Sequence, residues 1–428
     1  MKKNVFVVGL DEFNLRKLRR LPEAEYCEFH AALDISEIRD VERYDMEELI
    51  SKAVGRMRST PGEVDAVVTY YDFPGTELVP ILAEEFGVIG PSLESVLKCG
   101  HKYWSRLEQQ KVIPEHLPMF KAFDPVDPEA FRDLDMVPPF WIKPFKSFRS
   151  YLAYKVNDEY MFNQYAQEIQ ENIDFLQEPF NYLFEAYSMP KEFVFMRESC
   201  VAESPLTGHQ CTLEGYVHDG EVVVYGIVDS VRESDRSSFS RYEYPSSLPM
   251  EIQFRMADVT RRAITQIGLD NSPFNVEFFY NSTHNEVGLL EINPRISQAH
   301  TDIFEKVHGV SHHRIMLQIA LGRRPEAMEY RGEFNVAANF MVRTYEPGRV
   351  IRVPDDGVVK SLTNEMPGTI IKMGVREGQH LDELQGQDSY SYQLANVYIG
   401  GNDRLELLNK YHRCMDRLHF EIEREGGF

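Results

Sequence analysis

Residues 275–295 read NVEFFYNSTHNEVGLLEINPR. Val276, Phe278 and the run from Val287 to Leu290 have the apolar, β-branched and aromatic character of two short strands. A polar turn through Asn281, Ser282, Asn285 and Glu286 joins them, so the segment is predicted to be a hairpin. Glu277 and Glu291 then face each other across it. Along the second strand the two-residue period of the pleat puts Glu291, Asn293 and Arg295 on one face. Oxygen donors and one fixed cation therefore converge. Magnesium takes one or two carboxylates and keeps its other positions for water and phosphate oxygens, so this set predicts metal-bound nucleotide rather than an all-protein metal cage.

Composition narrows the partners. A chain of 428 residues exceeds one compact core and is expected to divide into several units of ordinary domain size. Hydrophobic residues make up 43% and charged residues 27%, the balance of a soluble globular protein, and no apolar run approaches the roughly 20 residues of a membrane span. No membrane association is expected. In the opening MKKNVFVVGLDEF two lysines precede an apolar run, but that run ends at Asp11 without a small-residue cleavage site. A core strand explains it, and the protein is expected to be cytoplasmic. The formal charge of -22 repels a phosphate backbone, so no nucleic-acid partner is expected. Cys27, Cys99, Cys200, Cys211 and Cys414 are scattered and form no CxxC pair, which argues against a disulfide framework and a zinc site.

Near the N-terminus, 5–9, 25–29 and 64–70 read as strands and 13–20, 46–58 and 75–86 as helices, with GVIG at 87–90 as a further short strand. This alternation predicts a small parallel sheet covered by helices. The turn after the first strand, GLDEFN, lacks the GxGxxG of a dinucleotide site. Next, 99–110 is predicted helical, a proline-punctuated connection follows, and FWIKPF is a strand ending in Lys143. Beyond it, 156–177 is predicted helical, 182–186 and 192–196 as strands, and 210–230 as a hairpin around His218, Asp219 and Gly220. Helices are expected at 249–267, 308–321 and 404–425, with strands over 333–400.

Lys102, the strand lysine Lys143, the run LFEAYSMPKEF, then Glu277 followed by EINPR stand in an order that resembles the ATP-grasp superfamily. The acid pair ending in ExNxR is the most specific piece. The layout, with EPGRVIRV towards the C-terminus, is most similar to the biotin-carboxylase-like group that contains L-amino acid ligases. The resemblance implies an α/β chain, α+β in its ATP-grasp part. A parallel-sheet pre-ATP-grasp domain would occupy 1–98, ATP-grasp subdomains A and B 99–182 and 183–325, and a C-terminal subdomain packed on them 326–428.

Carried across position by position, the resemblance implies that Lys102 and Lys143 contact ATP phosphates. Glu185, Ala186 and Ser188 would form the hinge that reads adenine, and Glu192 would accept the ribose hydroxyls. Glu277, Glu291 and Asn293 would hold magnesium, with manganese as the alternative ion, and Arg295 would stabilise an acylphosphate and the tetrahedral state that follows. The family's loop after the second lysine is glycine-rich, whereas PFKSFRSY at 144–151 has no glycine. Ser147 and Ser150 then supply the hydroxyls, and Lys146 or Arg149 the charge, of the expected phosphate lid.

In the 229–249 run, Arg232, Arg236 and Arg241 are candidates to pair with a substrate carboxylate. His308 and His312 are expected to be a helix-end pair without metal. The expected activity is an ATP-dependent ligation of a small carboxylate and a small amine, amino acids foremost, through an acylphosphate with release of ADP and phosphate. The alternatives are a biotin-carboxylase-like enzyme that activates bicarbonate and a non-catalytic ATP-binding scaffold. A homodimer is expected as the commonest symmetric assembly.

Overall fold

The computed structural model describes residues 2–39, 41–148, 151–194, 199–233, 238–384 and 391–424. The apolar run Val5, Phe6, Val7, Val8 lies in β1 (Lys3–Leu10), the middle of a three-stranded parallel sheet between β2 (Cys27–Asp34) and β3 (Val64–Val68). Helices α1 (Glu12–Arg19), α2 (Met46–Ser59) and α3 (Gly75–Phe86) connect or follow these strands, and the central strand β1 is buried along its whole middle and needs no polar face. Asp11 and Asp45 start α1 and α2 by accepting the amide N–H of Asn14 and Glu48. The expected strand at 87–90 does not form. Gly87, at φ 64°, ends α3 in the left-handed region, and Val88 closes back on Ala83 instead of pairing with the sheet.

The helix expected over 99–110 is two helices, α4 (Leu93–Gly100) and α5 (Lys102–Gln110). They break at His101, whose extended backbone lets its Nδ1 accept the Trp104 N–H at 3.0 Å and cap α5. Lys102 is thereby the first residue of a helix. A four-stranded antiparallel sheet follows in the order β4 (Phe120–Phe123), β7 (Cys200–Glu203), β5 (Phe140–Pro144), β6 (Tyr154–Val156). Between these strands in sequence come α6 (Ala130–Asp133), α7 (Glu159–Asn172) and α8 (Asp174–Ala186).

Residues 182–186 are thus the last turn of α8 rather than a strand, and 191–193 form a 3-10 turn. Residues 195 and 196 lie outside the described residues. Because β7 belongs to this sheet, the lobe continues to Glu203, beyond the boundary expected at 182/183.

α8 joins this lobe to the N-terminal unit. Leu176, Phe180, Leu183 and Phe184 recur at helical spacing and pack with Phe73, Leu78, Val79 and Leu82 in one core. The same core takes the start of the expected lid. Phe145 is buried, and Lys146, 4% exposed, donates to Glu77 Oε1 at 2.9 Å between the rings of Phe73 and Phe180. Lys146 therefore points into the N-terminal unit and not towards a phosphate.

The largest sheet has eight antiparallel strands. Its members are β8 (His209–His218), β9 (Glu221–Arg232), β10 (Phe239–Tyr244), β11 (Ser272–Asn281), β12 (Glu286–Asn293), β13 (Val336–Thr344), β15 (Ile370–Met373) and β16 (Tyr392–Gly401). They run in the order β12-β11-β8-β9-β10-β13-β16-β15, so the sheet crosses the boundary expected at 325/326. β14 (Arg349–Arg352) pairs separately with β17 (Glu421–Glu423). α9 (Met250–Ile267) packs on the side of Cys211, Leu213, Val276 and Phe278. Alternation sends Gln210, Thr212, Glu214, Asn275 and Glu277 to the other side.

α10 (Thr301–His308) and α11 (His313–Ala320) follow the hairpin and divide the helix expected at 308–321. His308 and His312 accordingly sit on different elements, separated by Gly309 at φ 78°. α12 (Asp356–Glu365) and α13 (Arg404–Met415) complete the C-terminal region, and the closing helix ends at Met415 rather than near 425. Among the described residues no helix is long and apolar enough to cross a membrane.

Breaking one partner of a buried ion pair leaves an uncompensated charge, whereas removing both is far milder. Glu77→Gln is therefore expected to lose about 3–5 kcal/mol in urea unfolding, and Lys146→Met with Glu77→Leu to recover most of it. A single-variant loss below about 1 kcal/mol would show that the pair does not anchor the loop.

Candidate active site

β11 and β12 pair so that Glu277 lies opposite Glu291 and Asn275 opposite Asn293. Residues placed this way have Cβ atoms about 4.5–5.5 Å apart, and like charges there repel. Lys102, brought in by α5, donates Nζ to Glu291 Oε2 at 3.1 Å. Gln210 Nε2 donates to Glu277 Oε2 at 3.0 Å. Asn293 turns its Nδ2 towards Asn275 Oδ1 at 3.1 Å and Glu291 Oε1 at 3.3 Å, leaving its carbonyl oxygen without a protein donor among the described residues.

Burial, then the charge of Glu291, pushes the Glu277 carboxyl up to about 7. Burial acts on Glu291 in the same sense, but the ammonium groups of Lys102 and Lys143 outweigh it and hold that carboxyl below its ordinary range. One lysine contact does not neutralise the pair. Two facing carboxylates and a carboxamide oxygen fit a hard divalent cation that keeps positions for phosphate oxygens. Among the described residues no group of three or more His, Cys, Asp or Glu side chains forms a metal cage.

Lys143, at the end of β5, meets Glu203 Oε2 at 2.5 Å. Arg106 Nε binds Glu203 Oε1 at 2.7 Å, and its Nη1 and Nη2 donate to the Leu289 and Leu290 carbonyls of β12 at 3.2 and 2.6 Å. Burial opposes ionisation of Glu203, yet Arg106 and Lys143 draw its carboxyl down to about 2. Arg106 thus ties α5, β7 and β12 together and sets where Lys143 stands relative to the acid pair. Arg295 places Nη2 and Nε 2.5 and 3.1 Å from Asp72 Oδ2, in the loop after β3. Burial opposes that charge too, but Arg295 and Lys146 hold the Asp72 carboxyl far below its usual range.

The structure therefore brings Lys102, Glu277, Glu291 and Asn293 together, with Lys143 and Arg295 at the margins. Arg232 joins through Gln210, donating Nη2 to Gln210 Oε1 at 2.6 Å while its guanidinium lies over Phe239. Arg241 does not join. Strand alternation turns it to the opposite side from Tyr242, where it bonds Glu243 at 2.9 Å. Glu185, Ala186, Ser188 and Glu192 are exposed on the end of α8 and the turn after it, and the segment 204–208 links the two antiparallel sheets. Ser150 and Arg236 lie outside the described residues, as does Arg149 of the expected lid.

Asp72, Arg106, Glu203 and Gln210 were not singled out by sequence. The available signals were an acid just past the apolar strand β3, where α/β sheets place functional loops, and the polar side of the alternating strand β8.

The proton that Glu277 holds in the folded state disfavours unfolding below its ordinary 4.5, and that stabilisation is lost as pH rises through about 7. A divalent cation competes with the proton. The rise in melting temperature on adding magnesium is expected to be small near about pH 5.5 and larger near about pH 8, and Glu277→Gln should abolish the difference. A magnesium effect independent of pH would contradict the assignment.

Residues 136–302 match the family model described as an ATP-grasp domain. No curated protein matches the sequence. Among solved structures, an L-amino acid ligase from Bacillus licheniformis superposes with a TM-score of 0.73 at 16% identity, covering 99% of each chain. Biotin carboxylase from Campylobacter jejuni gives 0.65 at 15% identity, over 99% of this chain and 92% of that one. N5-carboxyaminoimidazole synthase from Aspergillus clavatus gives 0.66 at 13% identity, over 97% and 98%. Residues 136–302 thus match an ATP-grasp domain, and the chain shares the fold of these three structures over nearly its whole length.

Proposed function

We propose that the protein is an ATP-dependent carboxylate–amine ligase that forms an amide through an acylphosphate and releases ADP and phosphate. The observation that carries this reading is the convergence of Lys102, Glu277, Glu291 and Asn293 on one side of the large sheet, with Lys143 held beside them from the four-stranded lobe. Lysine suits phosphate as a compact point charge. Glu277, Glu291 and Asn293 would hold magnesium, or manganese, which when bound offsets the charge of the phosphate oxygens. The adenine would sit beside the 204–208 connection, where backbone from both lobes meets.

Arg295, oriented by Asp72, would face the carboxylate as it becomes an acylphosphate and then a tetrahedral oxyanion. A fixed donor in that role contributes about 3–4 kcal/mol. Amino acids are the proposed substrates. The likeness to an L-amino acid ligase supports that choice, as does Arg232, a guanidinium suited to a substrate carboxylate.

An ADP-release screen over pairs of amino acids, with bicarbonate as a separate arm, tests the reading. Release that needs both a carboxylate and an amine is expected. Glu291→Gln should lower it at least about 100-fold while leaving the melting temperature nearly unchanged. Release driven by bicarbonate alone, or full activity in Glu291→Gln, would overturn the proposal.

A further inference from the structure

Glu214 follows Gln210 and Thr212 on the polar side of β8 and is wholly buried. Its Oε1 lies 2.8 Å from His300 Nδ1, and its two oxygens accept the Ser297 N–H at 3.2 and 3.4 Å. Ser297 and His300 belong to the turn that begins just after Arg295, and Asn339 of β13 steadies that turn by donating to the Ala299 carbonyl at 3.3 Å. The dyad and Arg295 therefore share one short segment, and the Glu214 charge reaches the guanidinium.

The Tyr242 ring stands edge-on to His300 at 4.9 Å. The same phenol lies in the field of Glu277, Arg343, Arg232 and Arg295, so His300 borders the side of the sheet that carries the acid pair. Further polar neighbours of Glu214 are Asn275, opposite it on β11, Tyr225 of β9 and His312 before α11. Tyr225 Oη and His312 Nδ1 bond each other at 3.2 Å, and His312 Nδ1 is 3.9 Å from Glu214 Oε2.

His300 differs from the other buried histidines here. The Nε2 atoms of His312 and His313 are sealed from solvent and unpaired, whereas His300 Nε2 is not among the sealed atoms and has no protein partner among the described residues. A buried carboxylate on Nδ1–H fixes the tautomer, stabilises the imidazolium and leaves Nε2 as an acceptor.

We propose that His300, oriented by Glu214, accepts the proton of the attacking amine, an inference that rests on the ligase reading. An ammonium nitrogen has no lone pair, so one proton must pass to Nε2 before attack on the acylphosphate carbon. The C–N bond then forms as the C–O bond to phosphate breaks. Phosphate leaves with the electron pair and takes the second amine proton, and His300 returns its own to solvent.

Hydroxylamine separates this role from a structural one, because its nitrogen is already neutral at neutral pH and attacks acylphosphates without a base. Wild type, His300→Gln, Glu214→Gln and His300→Asn, which can still donate to Glu214, would be assayed with ATP, magnesium and a carboxylate found by the screen. The readouts are amide formation with an amino acid and hydroxamate formation with hydroxylamine. The ratio of amide to hydroxamate is expected to fall at least about 100-fold in both His300 variants and less in Glu214→Gln. The amide rate of the His300 variants should then rise with pH along the amine's own ionisation.

Parallel loss of both products, or an unchanged ratio, would overturn the role of His300 while leaving the ligase reading intact. Wild-type protein that forms no hydroxamate with any carboxylate would overturn the ligase reading itself and the His300 role with it.

Discussion

Two carboxylates, Glu277 and Glu291, are held opposite each other on neighbouring antiparallel strands, and the arrangement around them exists to keep them there. Like charges so placed are a liability unless cations face them. The chain supplies Lys102 as a direct partner and Lys143 at longer range, and Glu277 still holds its proton up to about 7. What the protein leaves unneutralised is the charge that a divalent cation with its phosphates would complete.

Three separate units must meet for that pair to matter. Arg106 reaches from α5 to Glu203 on one lobe and to two carbonyls of β12 on the other, so the distance between Lys143 and the acids is set by one planar group. The N-terminal unit enters through Asp72 on Arg295, and through Lys17, which bonds Asp302 of α10 at 2.5 Å in a buried pair. α8 and the Lys146–Glu77 pair then weld the four-stranded lobe to the N-terminal unit. A glycine-rich flap gains its function from freedom; this loop begins with a buried aromatic ring and a buried ion pair, and its first residues are anchored.

The hairpin was legible because alternation in EINPR and the polar turn before it leave few other structures, and its register followed. The parallel N-terminal sheet was legible from strand and helix alternation. The stretch 182–186 was not. A short apolar run reads equally as strand or helix, Pro179 suggests a break that α8 tolerates, and the helical spacing of Leu176, Phe180, Leu183 and Phe184 was the clue. In the structure the link between the two antiparallel sheets is 204–208, after the four-residue strand β7. Arg295 was visible, but its partner Asp72 stands 223 residues away, a separation that no local pattern reports.

Manganese offers the most direct measurement of the central claim, because its electron spin reports both protein and phosphate ligands. In the presence of ADP, wild-type protein is expected to bind one manganese ion with resolved coupling to nucleotide phosphorus, and a Glu277→Gln, Glu291→Gln double variant should lose that bound species while still folding. Unchanged nucleotide-linked manganese in the double variant would contradict the account, because the ion would then be held somewhere other than between these two carboxylates.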